Sequence, residues 1–118
     1  MEVLKQSILF LSDASLFLEF ARECFKQEGC DFFDFGKWEE CKLQISDLSP
    51  TFIIIDFDHY DQSDLGEVQS SNLPIIGVFS EGVDINLNEL NLVGKIQKPI
   101  AVLDFVPSCM SFLENNDG

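Results

Sequence analysis

The stretch Thr51-Phe52-Ile53-Ile54-Ile55-Asp56 decides how this chain folds. It is a continuous aromatic and β-branched run with no apolar–polar alternation, and it ends on a carboxylate. A run of that kind suits a parallel strand buried on both faces of its sheet. The run Ile8-Leu9-Phe10-Leu11-Ser12-Asp13 repeats the pattern near the start of the chain, so residues 7–12 read as a first strand and 51–56 as a third.

Helical and strand-like segments alternate around these two runs. Over residues 14–28, Leu16, Phe17, Phe20, Ala21, Cys24 and Phe25 recur at helical spacing as one apolar face. Asp13 or Ser15 can cap this helix, and Gly29 suits its stop. Cys30 to Phe35 reads as a second strand, broken by Gly36. Residues 37–48 read as a weaker helix with Trp38, Cys41, Leu43, Ile45 and Leu48 as its apolar positions, stopped by Pro50. Beyond Asp56 comes a polar loop, Asp58 to Asp64, then a short helix from Asp64 to Ser71 with Leu65 and Val68 as its stripe. Pro74 to Phe79 is a fourth strand. Residues 81–94, with Leu87, Leu90 and Leu92, are either one helix or irregular, and Gly94 to Lys98 is a fifth strand. A last helix over 101–114 carries Val102, Leu103, Phe105, Val106, Met110, Phe112 and Leu113. Pro107 inside it is expected to kink it or shift its start, and the tail from Asn115 to fray. Strands alternating with helices in this way predict an α/β, doubly wound parallel sheet with helices on both faces, in a single domain over 1–118.

Composition narrows the function. Twenty-one acids against seven lysines and arginines leave a net charge of −14, which opposes binding to nucleic acid or to anionic membranes and favours a basic protein surface. No apolar run approaches the roughly 20 residues that span a bilayer. The start, Met1-Glu2-Val3-Leu4-Lys5-Gln6, is too polar and short for a secretory signal, so a cytoplasmic location is expected. Cys24, Cys30, Cys41 and Cys109 show no C-x-x-C spacing and lie far from the single histidine, His59. They read as free, mostly buried thiols. The same histidine gives little for a hydrolytic enzyme to use and reads as a solvent-exposed loop residue.

In an open parallel sheet, strand tips gather at the edge where ligands bind. Asp13 and Asp56 end two strands and Lys98-Pro99 follows the fifth. Two acids and a lysine at that edge can hold a divalent metal and a phosphoryl group.

With Asp13 after the first strand, Asp56 ending the third, Leu73-Pro74-Ile75-Ile76 entering the fourth and Lys98-Pro99-Ile100 after the fifth, the chain resembles the CheY-like receiver domain of two-component response regulators. The resemblance implies the flavodoxin-like strand order 2-1-3-4-5, here with a shortened third helix. It implies that Asp56 is the phosphoacceptor and that Lys98 contacts the phosphoryl group. Magnesium would be held by Asp13, Asp56 and the backbone carbonyl of Asp58. Ser12 stands where a first acid is expected, and its hydroxyl would reach the metal through a water. Phe79 stands where the family has Thr or Ser, with Ser80 one residue late as a substitute. No enzyme activity is implied beyond phosphorylation and dephosphorylation at the aspartate itself.

Three functions follow as expectations. One is a stand-alone receiver in a phosphorelay, a monomer or weak dimer phosphorylated by a histidine kinase or phosphotransfer protein and read by a downstream effector. The second is a pseudo-receiver that binds its partner without phosphorylation, which the Ser12 and Phe79 departures favour. The third, a small flavodoxin-like electron carrier, fits poorly: Ser12-Asp13-Ala14-Ser15-Leu16 has no glycine and carries an acid that repels phosphate. For either receiver, the resemblance places partner contact on the fourth helix, fifth strand and fifth helix, with Ile96, Ile100 and Phe105 as apolar anchors.

Overall fold

A computed structural model describes residues 6–60, 65–82 and 91–115. The expectations for 83–90, for Asp61 to Asp64 and for the tail after Asn115 fall outside the described residues. Among those described, β1 (Ser7–Leu11), β2 (Asp31–Phe35), β3 (Phe52–Asp56), β4 (Ile75–Phe79) and β5 (Gly94–Gln97) form one sheet in the order β2-β1-β3-β4-β5. Every neighbouring pair is parallel. The strand order reverses between β1 and β3, which is where a doubly wound sheet opens its crevice.

Period-2 alternation sends successive side chains to opposite faces. Ile8, Phe10, Phe52, Ile54, Ile76 and Val78 pack on one side, under α1 (Leu16–Gln27) and α5 (Val102–Asn115). Leu9, Leu11, Ile53, Ile55 and Ile75 pack on the other, against Trp38 and Cys41 of α2 (Trp38–Cys41) and Leu65 and Val68 of α4 (Leu65–Gln69). Residues 8–11 of β1 and 52–55 of β3 are all apolar because both their faces are core. The short α4 matches the shortened third helix expected from the sequence.

Ser15, rather than Asp13, caps α1: its hydroxyl oxygen accepts from the Leu18 N–H at 3.1 Å. The helix ends in a Schellman turn. The Gly29 N–H donates to Lys26 O at 3.0 Å and the Cys30 N–H to Phe25 O at 3.1 Å, with Gly29 at φ +76°, where a side chain would be strained.

The apolar face of α1 differs from the expected one at its start. Leu16 is 89% exposed, and Leu18 takes the buried place beside Ala21, Cys24 and Phe25. Leu18 lies three residues before Ala21 and seven before Phe25, so it falls on the core stripe, whereas Leu16, the first residue of the helix, is exposed.

The helical run over 38–48 forms but tightens into a 3₁₀ turn over Lys42–Gln44 between α2 and α3 (Ile45–Leu48). Only Trp38 and Cys41 anchor it fully, and Leu43 is exposed. Pro107 does not shift the start of α5, which runs through it from Val102. Burial of Phe105, Val106 and Cys109 on the core holds the helix across the one backbone bond that proline removes.

Ile96 and Phe105 are buried, so neither can anchor a partner as expected; Ile100 is only partly covered. None of the four cysteines forms a disulfide, and Cys24, Cys41 and Cys109 are buried. Burial, reinforced by Cys24 nearby, pushes the Cys109 thiol up to about 12, which keeps it protonated and unreactive.

Candidate functional site

The C-terminal tips of β3, β4 and β5 bring Asp56, Asp58, Ser80 and Lys98 into one hydrogen-bonded cluster. Asp56 is the last residue of β3, and its carboxylate is fully buried. Lys98 follows β5, and its backbone N–H donates to Phe79 O at 2.8 Å, so the end of β4 fixes where the lysine starts. Its ammonium then reaches Asp56 Oδ1 at 3.0 Å and Oδ2 at 3.1 Å, and Asp58 Oδ2 at 2.9 Å. The Lys98 Nζ also lies 4.4 Å from the centroid of the Phe17 ring, a cation–π contact from α1.

Asp58 is held from two further directions. The Ser80 hydroxyl donates to its Oδ2 at 2.6 Å and the Ser80 N–H to its Oδ1 at 3.1 Å. The Asp58 N–H turns back to donate to Asp56 Oδ1 at 3.1 Å, an Asx-type turn just past the strand. Two carboxylates and one ammonium thus share a nearly dry site in which each group is paired. That is the condition under which buried charges are tolerated.

Partial burial pushes the Asp58 carboxyl up, but hydrogen bonds from the Ser80 hydroxyl, Lys98 and the Ser80 N–H, with the lysine's charge, outweigh it and hold the group below its ordinary 3.8. A carboxyl depressed by folding stabilises the protein above its unfolded pKa and loses that contribution as the pH falls through the folded one. Asp58→Asn is therefore expected to flatten the loss of stability on acidification through and below the aspartate range. Urea unfolding at a series of pH values would read this, and an unchanged slope would count against the depressed carboxyl.

The side chains of the other expected site residues make their contacts elsewhere. Asp13 is exposed, with its N–H bound to His59 O at 2.9 Å. Ser12 is buried, and its hydroxyl donates to Asp13 O at 2.7 Å. Phe79 is half-buried and packs against the core on the α2 and α4 side, filling space as its residue type suggests. His59 is exposed.

Magnesium asks for a near-octahedral shell of oxygens. Among the described residues no three carboxylates, histidines or cysteines gather closely enough to hold a metal. The oxygens of Asp56 and Asp58 face Lys98, Ser80 and a backbone N–H instead. The expected set of Asp13, Asp56 and the Asp58 carbonyl, with Ser12 through water, contains two carboxylates and would take the rest of its shell from the backbone and water.

Two participants were missed in the sequence: the Asp58 side chain, of which only the backbone was considered, and the Phe17 ring. An acid two residues beyond a strand-ending acid was the available signal for the first. For Phe17 there was none, since an aromatic on a helix face reads as core.

No protein-family model and no curated protein matches the chain by sequence. Solved structures do match by shape. The signal receiver domain of a modulated diguanylate cyclase from Desulfovibrio desulfuricans G20 superposes with a TM-score of 0.77 at 21% identity, over 96% of this chain and 97% of that one. A response regulator receiver protein from Burkholderia phymatum gives 0.74 at 16% identity, over 93% and 96%. A response regulator from Thermotoga maritima gives 0.76 at 12% identity, over 94% and 99%. The fold is that of receiver domains. Among the described residues, no helix is long and apolar enough to cross a membrane.

Proposed function

We propose that this chain is a receiver-fold signalling module that acts by binding another protein and whose Asp56 site is neutralised from within, as a pseudo-receiver. The observation that carries this reading is the Lys98 ammonium held between Asp56 and Asp58. It supplies the positive charge that phosphoryl chemistry would otherwise take from a metal. Phe79, lacking a hydroxyl, and Ser12, lacking a carboxylate, support the same reading. A net charge of −14 favours a partner with a basic face. Among the described residues, Leu16, Leu43 and Leu103, 89%, 87% and 86% exposed, are the large apolar side chains most available to it.

A second reading keeps Asp56 as a phosphoacceptor. In it, a phosphohistidine on a histidine kinase or phosphotransfer protein donates the phosphoryl group, with magnesium, and Lys98 steadies it. The lysine's reach to both Asp56 oxygens favours this reading.

Amide NMR titration with magnesium and then beryllofluoride, a phosphoryl mimic, separates the two, with Asp56→Asn as control. The expected result is a spectrum unmoved around Asp56 and Lys98. Shifts centred on those residues and lost in the control would establish the phosphoacceptor.

A further inference from the structure

We propose that Asp58, clamped by Ser80, is an internal stand-in for an incoming oxyanion: it occupies the lysine that a phosphoryl-like group on Asp56 would need. This rests on the pseudo-receiver reading and names the residue responsible for it.

An ammonium has three N–H donors. Those of Lys98 face three carboxylate oxygens, two on Asp56 and one on Asp58, and the Phe17 ring lies beside them. The ammonium already meets three carboxylate oxygens, so a further oxygen must compete with one of them. A tetrahedral oxyanion built on Asp56 would also bring negative charge beside the Asp58 carboxylate. That carboxylate cannot easily turn away, because Ser80 holds one of its oxygens through the hydroxyl and the other through the backbone. The cluster is therefore closed in two ways: its cation is already taken, and the group that takes it repels the newcomer. Ser80 acts as a positioning residue, since it touches Asp58 and not Asp56 in this arrangement.

Asp58→Asn removes the charge and leaves one amide oxygen for one of the two Ser80 donors. It frees Lys98 to leave Asp58 and meet a new oxygen. Ser80→Ala keeps the charge but loosens the clamp, so it should act in the same direction and less strongly.

The test is beryllofluoride titration in magnesium-containing buffer, followed by amide NMR, on the wild-type chain and both variants. Unmoved wild-type spectra with saturable shifts at Asp56, Ser80 and Lys98 in Asp58→Asn are expected. The gain in apparent affinity should be on the order of tenfold or more, the scale of one close charge–charge interaction near a protein surface. If the wild type and a well-dispersed Asp58→Asn are both silent, the stand-in role is overturned and the pseudo-receiver reading survives. If the wild type responds as strongly as the variant, both are overturned. Should Asp58→Asn fail to give a dispersed spectrum, Ser80→Ala decides: a response where the wild type has none supports the proposal, and silence overturns it.

Discussion

Lys98→Met is expected to lower the unfolding free energy by about 3–5 kcal/mol, the usual cost of removing one partner from a buried ion pair. The lysine side chain is 14% exposed, and the carboxylates it pairs are fully buried in Asp56 and 13% exposed in Asp58. Methionine keeps most of the stem packing against Phe17 and removes only the charge. Two carboxylates would then face each other with little water between them. The Asp58 N–H would be the hydrogen bond left to Asp56. Against a typical total stability of about 5–15 kcal/mol, such a loss is visible in urea unfolding at neutral pH as a lower midpoint at constant slope.

Asp56→Asn alone should cost less, because Lys98 keeps Asp58 and the amide keeps the Asp58 N–H as a donor. The double variant should recover part of the Lys98→Met loss, since the stranded charge is gone; the coupling between the two substitutions measures the pair itself. A Lys98→Met loss below about 1 kcal/mol, the range of exposed pairs, would mean that water reaches the cluster. The prediction also bears on how the sheet edge is held. The cluster links the ends of β3, β4 and β5, so its failure should loosen three strands at the edge where the crevice opens.

The parts of this molecule that were legible in the sequence are those where one physical signal dominates. Residues 8–11 and 52–55 are apolar at every position because both faces of a central strand are covered. Asp56 stood out because it ends an apolar run, and Lys98 because it stands before Pro99 after the fifth strand. Helix faces were less legible. α5 carries apolar residues nearly all round, so periodicity could not separate Phe105 and Val106, which are buried, from Val102 and Leu103, which are exposed. In α1 the expected stripe took Leu16 and passed over Leu18, which is the buried one. Ile96 alternates with Lys95 and Gln97 on β5, and a strand that short gives no sign of which face its partner helix covers.

The site followed the same division. Its charged members could be read because charge at a strand tip is unusual. The wiring could not, because it depends on side-chain direction. Asp58 was read through its backbone, yet its carboxylate meets both Lys98 and Ser80. Ser80 was read as a substitute for a hydroxyl at position 79, yet it reaches Asp58. Asp13 was read as a metal ligand on its place after the first strand; its side chain is exposed and its N–H donates to His59 O.

Phe105→Ala is expected to cost about 3–5 kcal/mol, the range for truncating a buried aromatic in a core that relaxes only partly. Its ring has no exposure and sits among three others, 5.5 Å from Phe17, 5.5 Å from Phe20 and 5.6 Å from Phe25, two of these contacts being edge-on. Such arrangements add to the burial of each ring. Phe105→Leu keeps most of the volume and should cost less than about 1.5 kcal/mol. The pair of substitutions also separates core from interface. A surface anchor truncated to alanine would leave unfolding within about 0.5 kcal/mol of wild type and would act only on partner binding. The ring cluster has a second consequence, because Phe17 touches both Phe105 and the Lys98 ammonium. A cavity at position 105 lets the Phe17 ring drop away from the lysine. Phe105→Ala should therefore shift the Lys98 amide and weaken the Asp56–Lys98 coupling measured by the double-mutant cycle, while Phe105→Leu leaves both nearly unchanged. Large destabilisation with an undisturbed ion cluster would mean that the core and the site stand independently.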